Sequence, residues 1–245
     1  MTVDLPTPAV ALAIGAHPDD VEFGAGGTLA KWSASGCVVH HLICTDGSKG
    51  SWDAGADTAA LVALRQDEQR AAAAALGATG ECVFLGHVDG ELGSGLEERG
   101  EVAHWIRRLQ PTVVLGHDPW KRYRLHPDHR HAGLLAVEGI VAARDPHFFP
   151  EHGLPSHRPD ELLLFEADEP DHVEDVADFV DAKLAALHAH ASQLLSTMGI
   201  DVAADPDELE RQRAAFDAKV RGRLAERGAV EGIAQGESYK RISEL

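Results

Sequence analysis

The 245-residue sequence is poor in cysteine and has no long apolar runs. Three cysteines are an odd number, and none forms a Cys-x-x-Cys pair, so we expect Cys37, Cys44 and Cys82 to be buried free thiols. No stretch approaches the ~20 apolar residues that a membrane-spanning helix needs. The first residues lack the basic segment and the cleavage pattern of a signal peptide. We therefore expect a cytoplasmic protein with no integral membrane segment.

Basic side chains are also scarce. The chain has 22 lysines and arginines against 40 aspartates and glutamates, a formal net charge of -18. Such a composition leaves no free basic stripe for nucleic acid, and an anionic membrane surface repels the molecule on average. We expect a small-molecule substrate and no nucleic-acid partner. A homo-oligomer is compatible with this composition, which does not determine the number of subunits.

The sequence does contain a regular alternation of short apolar runs and longer segments of helical period. Continuous apolar strands separated by helices are typical of a parallel sheet covered on both faces. We therefore predict an α/β fold, a Rossmann-like, doubly wound, mostly parallel sheet with helices on both faces. The predicted strands are 9–16, 37–45, 82–86, 112–116 and 161–167, and the predicted helices are 20–35, 58–78, 96–110, 127–144, 171–196 and 206–227.

No internal repeat and no low-complexity linker divides the chain, so we predict a single domain over residues 1–245. Its core covers about 9–195, and a C-terminal helical extension covers 196–245. The proline-rich segment 145–160 is predicted to be a surface loop and not a domain boundary.

Polar side chains collect directly after the predicted strands. Ligands of open parallel sheets bind outside the carboxyl ends of the strands, near the switch in strand order, so this edge is the expected active site. Its polar groups are His17, Asp19, Asp20, Asp46, His87, Asp89, His117, Asp118, His126, Asp128 and His129.

The stretch AHPDD, residues 16–20, has three competing explanations. One aspartate would cap the next helix, stabilising it by ~0.5–2 kcal/mol, but a cap needs one carboxylate and leaves His17 without a role. The glycines at 24–27 form no GxGxxG fingerprint, because residue 29 is leucine, and we interpret them as a chain bend. A metal site needs a third ligand, which HPDH at 126–129 supplies. Two histidines and a carboxylate suit zinc and also non-haem Fe(II).

With these motifs the sequence resembles the LmbE-like, or PIG-L, family of zinc-dependent N-acetylglucosaminyl de-N-acetylases, which includes the deacetylases of mycothiol and bacillithiol metabolism. The pairing of AHPDD with HPDH at this spacing is specific. The resemblance covers roughly residues 9–195. Further stretches that resemble family signatures follow in the expected order: TDGSKG (45–50), ALRQDEQRAAAAALG (63–77), LGHVDGEL (85–92), GHDPW (116–120) and HAHASQ (188–193).

The resemblance implies roles for individual residues. His17, Asp20 and His129 would hold Zn²⁺, with Fe²⁺ or another divalent metal as the alternative. Asp19 would be the general base, and His126 would face the substrate carbonyl.

Four more residues are assigned by position in the resemblance. Asp128 would orient the ring of His126 and keep it cationic. Arg65 and Asp89 match positions that contact the sugar. Arg124 stands where mycothiol-type relatives carry a tyrosine, two residues before HPDH, and we expect it to bind an anionic group of the substrate.

The implied function is a zinc-dependent hydrolase that removes an N-acetyl group from an amino sugar or an amino-sugar conjugate. Water activated by the metal attacks the amide carbonyl, and Asp19 takes its proton. One alternative is an amidase that cleaves a larger acyl group from a glucosamine–thiol conjugate. A second is a metal-binding or sugar-binding homologue without catalysis, which the presence of Asp19 together with His126 disfavours because binding alone requires neither.

Overall fold

Eight strands pair into one sheet, and six α-helices flank it in the computed structural model, which describes residues 1–245. The strands are β1 (Thr2–Val3), β2 (Val10–Gly15), β3 (Val38–Thr45), β4 (Cys82–His87), β5 (Val113–His117), β6 (Glu161–Phe165), β7 (His172–Asp175) and β8 (Gly236–Ser243). The helices are α1 (Asp20–Ala34), α2 (Thr58–Ala75), α3 (Leu96–Leu109), α4 (Pro127–Arg144), α5 (Val180–Ala189) and α6 (Pro206–Ala229).

The strand order is β1-β7-β8-β6-β5-β2-β3-β4. Strands β2 to β6 are parallel to their neighbours among themselves, and β8 alone runs antiparallel, between β6 and β7. The chain runs outward from β2 through β3 to β4 and then returns to β5, on the other side of β2. The predicted Rossmann-like, doubly wound fold is confirmed, and its switch point lies between β2 and β5.

Alternation along β2 divides the core into two layers. Leu12 and Ile14 pack in a cluster with α3 and α4 on one face of the sheet. Ala11 and Ala13 pack on the opposite face, against side chains of α1, α2 and α5. Because every residue of β2 from position 11 onward is buried, the polar residues that follow this strand emerge at the edge of a rigid sheet.

The C-terminal part departs from the predicted helices. Residues 172–175 form β7, so helix α5 begins only at Val180, and the expected helical extension 196–245 contains strand β8 after α6. In β8 the fully buried residues are Glu237 and Tyr239. A buried glutamate hides the apolar alternation by which a strand is recognised, and this explains the missed assignment.

The glycines after AHPDD do not bend the chain, because they lie inside α1. A Cβ atom on Gly24 would lie 2.6 Å from the Phe165 ring, and one on Gly27 would lie 2.8 Å from Val176. These glycines therefore allow α1 to approach the ends of β6 and β7 closely.

Two expectations from composition concern the thiols and the helices. Cys37, Cys44 and Cys82 are free; Cys37 and Cys44 are buried and Cys82 is half-buried, and burial raises the pKa of each thiol. Among the helices, none combines the length and the apolar character that crossing a bilayer requires.

Candidate active site and metal centre

The polar residues of the AHPDD and HPDH motifs meet at the switch point. His17 and Asp19 lie in the loop between β2 and α1, and Asp20 begins α1. His126 is the N-cap residue of α4, followed by Pro127 in the first turn, where proline's missing N–H costs nothing. His129 follows one turn inside.

Asp20 contacts three histidines of this cluster. Its Oδ2 accepts the backbone N–H of His17 at 2.7 Å and lies 3.3 Å from His17 Nδ1 and 3.2 Å from His117 Nε2. Its Oδ1 lies 3.3 Å from His129 Nε2. Burial alone would raise the pKa of Asp20, but the imidazoles of His129 and His117 hold it well below its ordinary value. The carboxylate therefore stays ionised and faces three rings.

The other side of the His17 ring faces two further carboxylates. His17 Nε2 lies 3.2 Å from Asp128 Oδ2 and 3.2 Å from Asp89 Oδ1. Burial opposes a charge on His17, but hydrogen bonds to Asp128, Asp20 and Asp89 raise its pKa to about 12. The three carboxylates therefore favour positive charge at this position, either as a second proton on the ring or as a metal cation that replaces that proton.

Asp128 has a different partner from the one expected. It accepts His17 Nε2–H and the backbone N–H groups of Gly90 and Leu92, at 2.6 and 3.3 Å, and makes no hydrogen bond to His126. Buried at the start of α4, Asp128 thus orients His17.

His126 lies in an exposed position beside the cluster. Its ring is 4.6 Å from the ring of His17 and 5.0 Å from that of His129, between centroids. Burial and the charges of these two neighbours lower the pKa of His126. The lowered pKa disfavours the expected cationic state of His126 and favours a neutral ring at pH 7.

Asp19 has surroundings different from those of Asp20. Its backbone has φ +104°, a conformation that L-residues rarely adopt, and its side chain caps no helix N–H although it occupies the N-cap position of α1. Its Oδ2 lies 3.6 Å from Nη2 of the buried Arg65. Burial raises the pKa of Asp19 to about 6, although Arg65 opposes the shift.

Arg65 and Asp89, the expected sugar contacts, are engaged with the protein itself. Arg65 Nη1 donates to the carbonyl of Gly47 at 2.9 Å, and Nη2 donates to that of Pro18 at 2.6 Å. Asp89 accepts the N–H of Lys49 at 3.1 Å in addition to facing His17. Both side chains are buried and fix the loops around the site.

A buried polar network holds the backbone of Asp19 in place. Gln69 Oε1 accepts the backbone N–H of Asp19 at 3.1 Å, and its Nε2 donates to Glu22 Oε1 at 2.7 Å. Glu22 Oε2 lies 3.3 Å from His190 Nε2, and Oε1 lies 3.7 Å from His41 Nε2. All of Glu22, Gln69, His41 and His190 are fully buried, so the network is shielded from solvent.

Arg124 lies behind the cluster, between two imidazoles. Its Nη1 is 3.3 Å from His117 Nδ1, 3.2 Å from His129 Nδ1 and 2.6 Å from Glu166 Oε2. Burial opposes ionisation of Glu166, but His117 and Arg124 lower its pKa to about 2. Arg124 is thus paired with Glu166 in this structure.

Sequence reasoning assigned no role to Glu166 and placed His117 only near the site. His117 is the last residue of β5, and Glu166 directly follows β6, so both belong to the polar groups at this edge of the sheet. Glu166, like Asp19 and Tyr123, has a positive φ. Such strain costs ~1–3 kcal/mol per residue and is typical of functional sites.

Comparison with known proteins decides the family. A family model described as PIG-L, GlcNAc-PI de-N-acetylase, matches residues 12–140. The diacetylchitobiose deacetylase of Thermococcus kodakarensis is 37% identical over 185 residues, which cover 74% of this chain and 69% of the relative. The chain belongs to the PIG-L family.

Other relatives agree with the PIG-L assignment. A 1D-myo-inositol 2-acetamido-2-deoxy-alpha-D-glucopyranoside deacetylase of Nocardia farcinica is 31% identical over 240 residues, covering 75% of this chain and 80% of the relative. The structure of N,N'-diacetylchitobiose deacetylase from Pyrococcus horikoshii superposes with a TM-score of 0.83 at 30% identity, covering 96% of this chain and 84% of that one. The enzyme class of this PIG-L protein is therefore an amide-hydrolysing deacetylase.

PIG-L deacetylases are metal-dependent, and the residues here fit a divalent cation. His17, Asp20 and His129 offer ligand atoms that all lie within 4.8 Å of one another. Two imidazoles and one carboxylate are a common donor set for zinc, and also suit Fe²⁺. Asp128 at the second nitrogen of His17 is the carboxylate partner that metal-binding histidines usually have. The buried Nε2 of His117 has no hydrogen-bond partner and faces the same centre.

Proposed function

We propose that this PIG-L protein removes the acetyl group from an N-acetylglucosamine-containing saccharide, with Zn²⁺ held by His17, Asp20 and His129. One observation carries the proposal: a buried carboxylate with a pKa of about 6, that of Asp19, stands next to this three-donor set. A carboxylate of this kind is suited to accept and return a proton near neutral pH. A protein that only binds metal or sugar has no use for it.

Asp19 acts as the general base. With a pKa of about 6 it is largely ionised at pH 7 and accepts a proton from the water that attacks the acetamide carbon. The nearby Arg65 guanidinium, 3.6 Å from its Oδ2, limits how far burial raises that pKa. The proton taken by Asp19 is then available to the departing amine.

When bound, a divalent cation at this centre would polarise the amide carbonyl and make water more acidic. The neutral His126, exposed beside His17 and His129, would donate a hydrogen bond to the carbonyl oxygen as negative charge develops there. Asp128 and Asp89 hold the ring of His17 in place.

The substrate class follows from the relatives. The two enzymes compared by sequence act, by their names, on N-acetylated glucosamine in chitobiose and in an inositol conjugate. Both substrates carry a second ring next to the acetamido sugar. We therefore propose a small saccharide or glycoside of N-acetylglucosamine as the substrate.

The experiment measures acetate and primary amine released from N,N'-diacetylchitobiose and from N-acetylglucosaminyl-inositol. We expect activity that disappears on chelation and returns with Zn²⁺, and a ~10²–10⁴-fold lower kcat for Asp19→Asn. Asp67→Asn, a carboxylate 79% exposed on α2, serves as the matched control. Full activity of the chelated protein or of Asp19→Asn would refute the proposal.

The same assay separates acetyl from larger acyl groups. Glucosamine N-acylated with propionyl and hexanoyl chains is compared with the N-acetyl compound. We expect kcat/KM to fall as the chain lengthens; a rise would favour the amidase.

A further inference from the structure

His117 is a buried histidine beside the metal centre, and the proposed reaction gives it no task. It is the last residue of β5 and is 1% exposed. Its Nε2 lies 3.2 Å from Asp20 Oδ2, at an angle that falls short of a hydrogen bond, and has no other partner. A buried N–H without an acceptor costs ~1–3 kcal/mol, so we assign this N–H to Asp20, whose carboxylate completes the bond by a small rotation.

The carboxylate of Asp20 is held mainly through one of its oxygens. Oδ2 accepts the backbone N–H of His17 at 2.7 Å and faces His117 Nε2. Oδ1 lies 3.3 Å from Nε2 of His129. Two N–H groups at one oxygen fix the plane of a carboxylate, and a metal centre needs ligands whose positions are fixed in this way.

The ring of His117 also touches the ring of His129. The two imidazoles are stacked, with centroids 4.5 Å apart and planes inclined by 14°. The ring of Phe165 meets His117 edge-on, with centroids 4.6 Å apart, and limits its movement. His117 therefore contacts two of the three proposed ligands, Asp20 through Nε2 and His129 through the face of its ring.

Arg124 determines which nitrogen of His117 carries the proton. Its Nη1 lies 3.3 Å from His117 Nδ1 and 2.6 Å from Glu166 Oε2. Arginine can only donate, so Nδ1 accepts, and the neutral ring carries its proton on Nε2, the nitrogen that faces Asp20. Glu166 holds the guanidinium in this position.

The same Nη1 has a third acceptor, His129 Nδ1 at 3.2 Å, but it has only two hydrogens to donate. When His129 binds a cation through Nε2, its neutral ring carries the proton on Nδ1 and no longer accepts a hydrogen bond there. Cation binding therefore leaves Arg124 to His117 and Glu166.

We propose that His117 is a positioning residue of the metal centre. It fixes the carboxylate of Asp20 and the ring of His129, while Arg124, paired with Glu166, keeps its Nε2 protonated. Arg124 then acts on the protein itself and not on an anionic group of the substrate. This inference rests on the ligand set of the proposed function and adds three residues that do not bind the cation.

The test compares Zn²⁺ dissociation constants, measured by competition with a chromogenic chelator, in two amide variants of His117. The side-chain nitrogen of glutamine reaches the position of Nε2, whereas that of asparagine reaches only the position of Nδ1. We expect a Kd within ~3-fold of the wild type for His117→Gln and one ~10–100-fold weaker for His117→Asn, the usual cost of losing a residue that orients a metal ligand. Equal Kd values in the two variants would overturn the inference.

A spectrum gives a second readout on the same variants. The visible absorption of Co²⁺ bound in place of Zn²⁺ is sensitive to the number and arrangement of its ligands. We expect the spectrum of His117→Gln to match the wild type and that of His117→Asn to differ. A wild-type spectrum for His117→Asn would show that the ligands do not depend on His117.

His172→Asn is the matched control. His172 is also fully buried, and its Nε2 lies 2.9 Å from the carboxylate of Glu174. It lies on β7, which β8 and β6 separate from β5 in the sheet. We expect a lower melting temperature with a wild-type Kd. If this Kd weakens as much as that of His117→Asn, the loss of any buried imidazole explains the effect and the inference is wrong.

Arg124→Met supplies a test that depends on the sign of the change. Removing a positive charge near His129 would by itself tighten the binding of a cation. Without Arg124, however, Glu166 Oε2, 3.4 Å from His117 Nδ1, becomes the acceptor for that nitrogen, and the neutral ring carries no proton on Nε2. We therefore expect Zn²⁺ binding weaker by at least ~3-fold. Unchanged or tighter binding would overturn the inference, and this variant decides the matter if His117→Asn does not fold.

These measurements require no turnover. A wild type that binds Zn²⁺ but releases no acetate would refute the proposed reaction alone, since the comparison of Kd values still holds. A wild type that binds no Zn²⁺ would overturn the inference together with the proposed ligand set.

Discussion

Replacing Gln69 by glutamate perturbs the support of Asp19 without removing the hydrogen-bond acceptor. The Gln69 side chain joins the backbone N–H of Asp19, at 3.1 Å, to the carboxylate of Glu22, at 2.7 Å. After Gln69→Glu the side chain still offers an acceptor to the backbone N–H of Asp19. Its other oxygen, however, faces the carboxylate of Glu22 in a region closed to solvent. We expect the new side chain to turn away from Glu22 and to release the Asp19 loop.

The expected decrease in kcat follows from the hydrogen bonds that hold the Asp19 loop and are lost in the variant. A hydrogen bond to a charged group contributes ~1.5–3 kcal/mol, and a buried N–H left without a partner costs ~1–3 kcal/mol. The backbone of Asp19, at φ +104°, stores further strain that relaxes once the restraint is gone. If ~1.4–2.7 kcal/mol of this loss destabilises the transition state relative to the bound substrate, kcat falls ~10–100-fold. KM should change little, because Gln69 is buried away from the substrate.

A reciprocal exchange provides the control. In the double variant Glu22→Gln/Gln69→Glu, the amide at position 22 donates to the carboxylate at position 69, and its oxygen still faces His190 Nε2. The total charge is unchanged, so we expect kcat to return to within ~5-fold of the wild type. Initial-rate kinetics with N,N'-diacetylchitobiose and the zinc content of each variant are measured together.

The outcome can refute this reasoning in two ways. A wild-type kcat for Gln69→Glu would show that Asp19 does not depend on Gln69. A double variant that is folded and binds zinc normally but stays as slow as the single variant would show that the donor–acceptor pairing is not what matters.

Two further predictions concern stability. Gly24→Ala should lower the free energy of unfolding by ~1–3 kcal/mol, because the added Cβ would lie 2.6 Å from the Phe165 ring. The control is Gly222→Ala, in open space on α6, which should raise the free energy of unfolding by up to ~1 kcal/mol; equal shifts in the melting temperature of the two variants would contradict this. Glu237→Gln should cost ~3–5 kcal/mol at neutral pH, because Lys183 loses its buried partner at 2.6 Å. Burial would raise the pKa of Glu237, but Lys183 holds it below the ordinary 4.5, so its contribution is complete above about pH 4.5 and is lost as the pH falls through the folded-state value. Urea unfolding over an acid pH series should therefore show the wild type and Glu237→Gln converging; a constant difference would refute the assignment.

The central sheet could be predicted from sequence because its strands are continuous apolar runs with helices between them. Buried runs such as residues 10–15 and 113–117 carry this pattern without interruption. The polar residues that follow each run then lie at one edge, by the geometry of parallel strands. This is why the polar residues of this edge could be grouped before their distances were known, whereas the choice of His17, Asp20 and His129 as the metal ligands came from the family resemblance.

The parts that were missed depend on contacts between distant residues. Strand β8 buries Glu237, whose carboxylate is neutralised by Lys183, 54 positions away in sequence. The partner of Asp128 could not be read from the motif, because His17 and His126 are both within its reach and only the packed fold selects His17. Local pattern identifies which residues carry chemistry, whereas tertiary packing decides which pairs form.

The two adjacent aspartates illustrate how packing divides identical side chains between roles. The positive φ of Asp19 sends its carboxylate towards Arg65, whereas Asp20, the first residue of α1, faces His17, His117 and His129. Their pKa values are shifted in opposite directions: burial raises that of Asp19 to about 6, and the imidazoles lower that of Asp20. Neighbouring groups whose pKa values are driven apart are suited to different tasks, here proton transfer and cation binding. Because the division depends on the backbone turn at Asp19, the proposed reaction depends on the support of that turn by Gln69 as well as on the carboxylate itself.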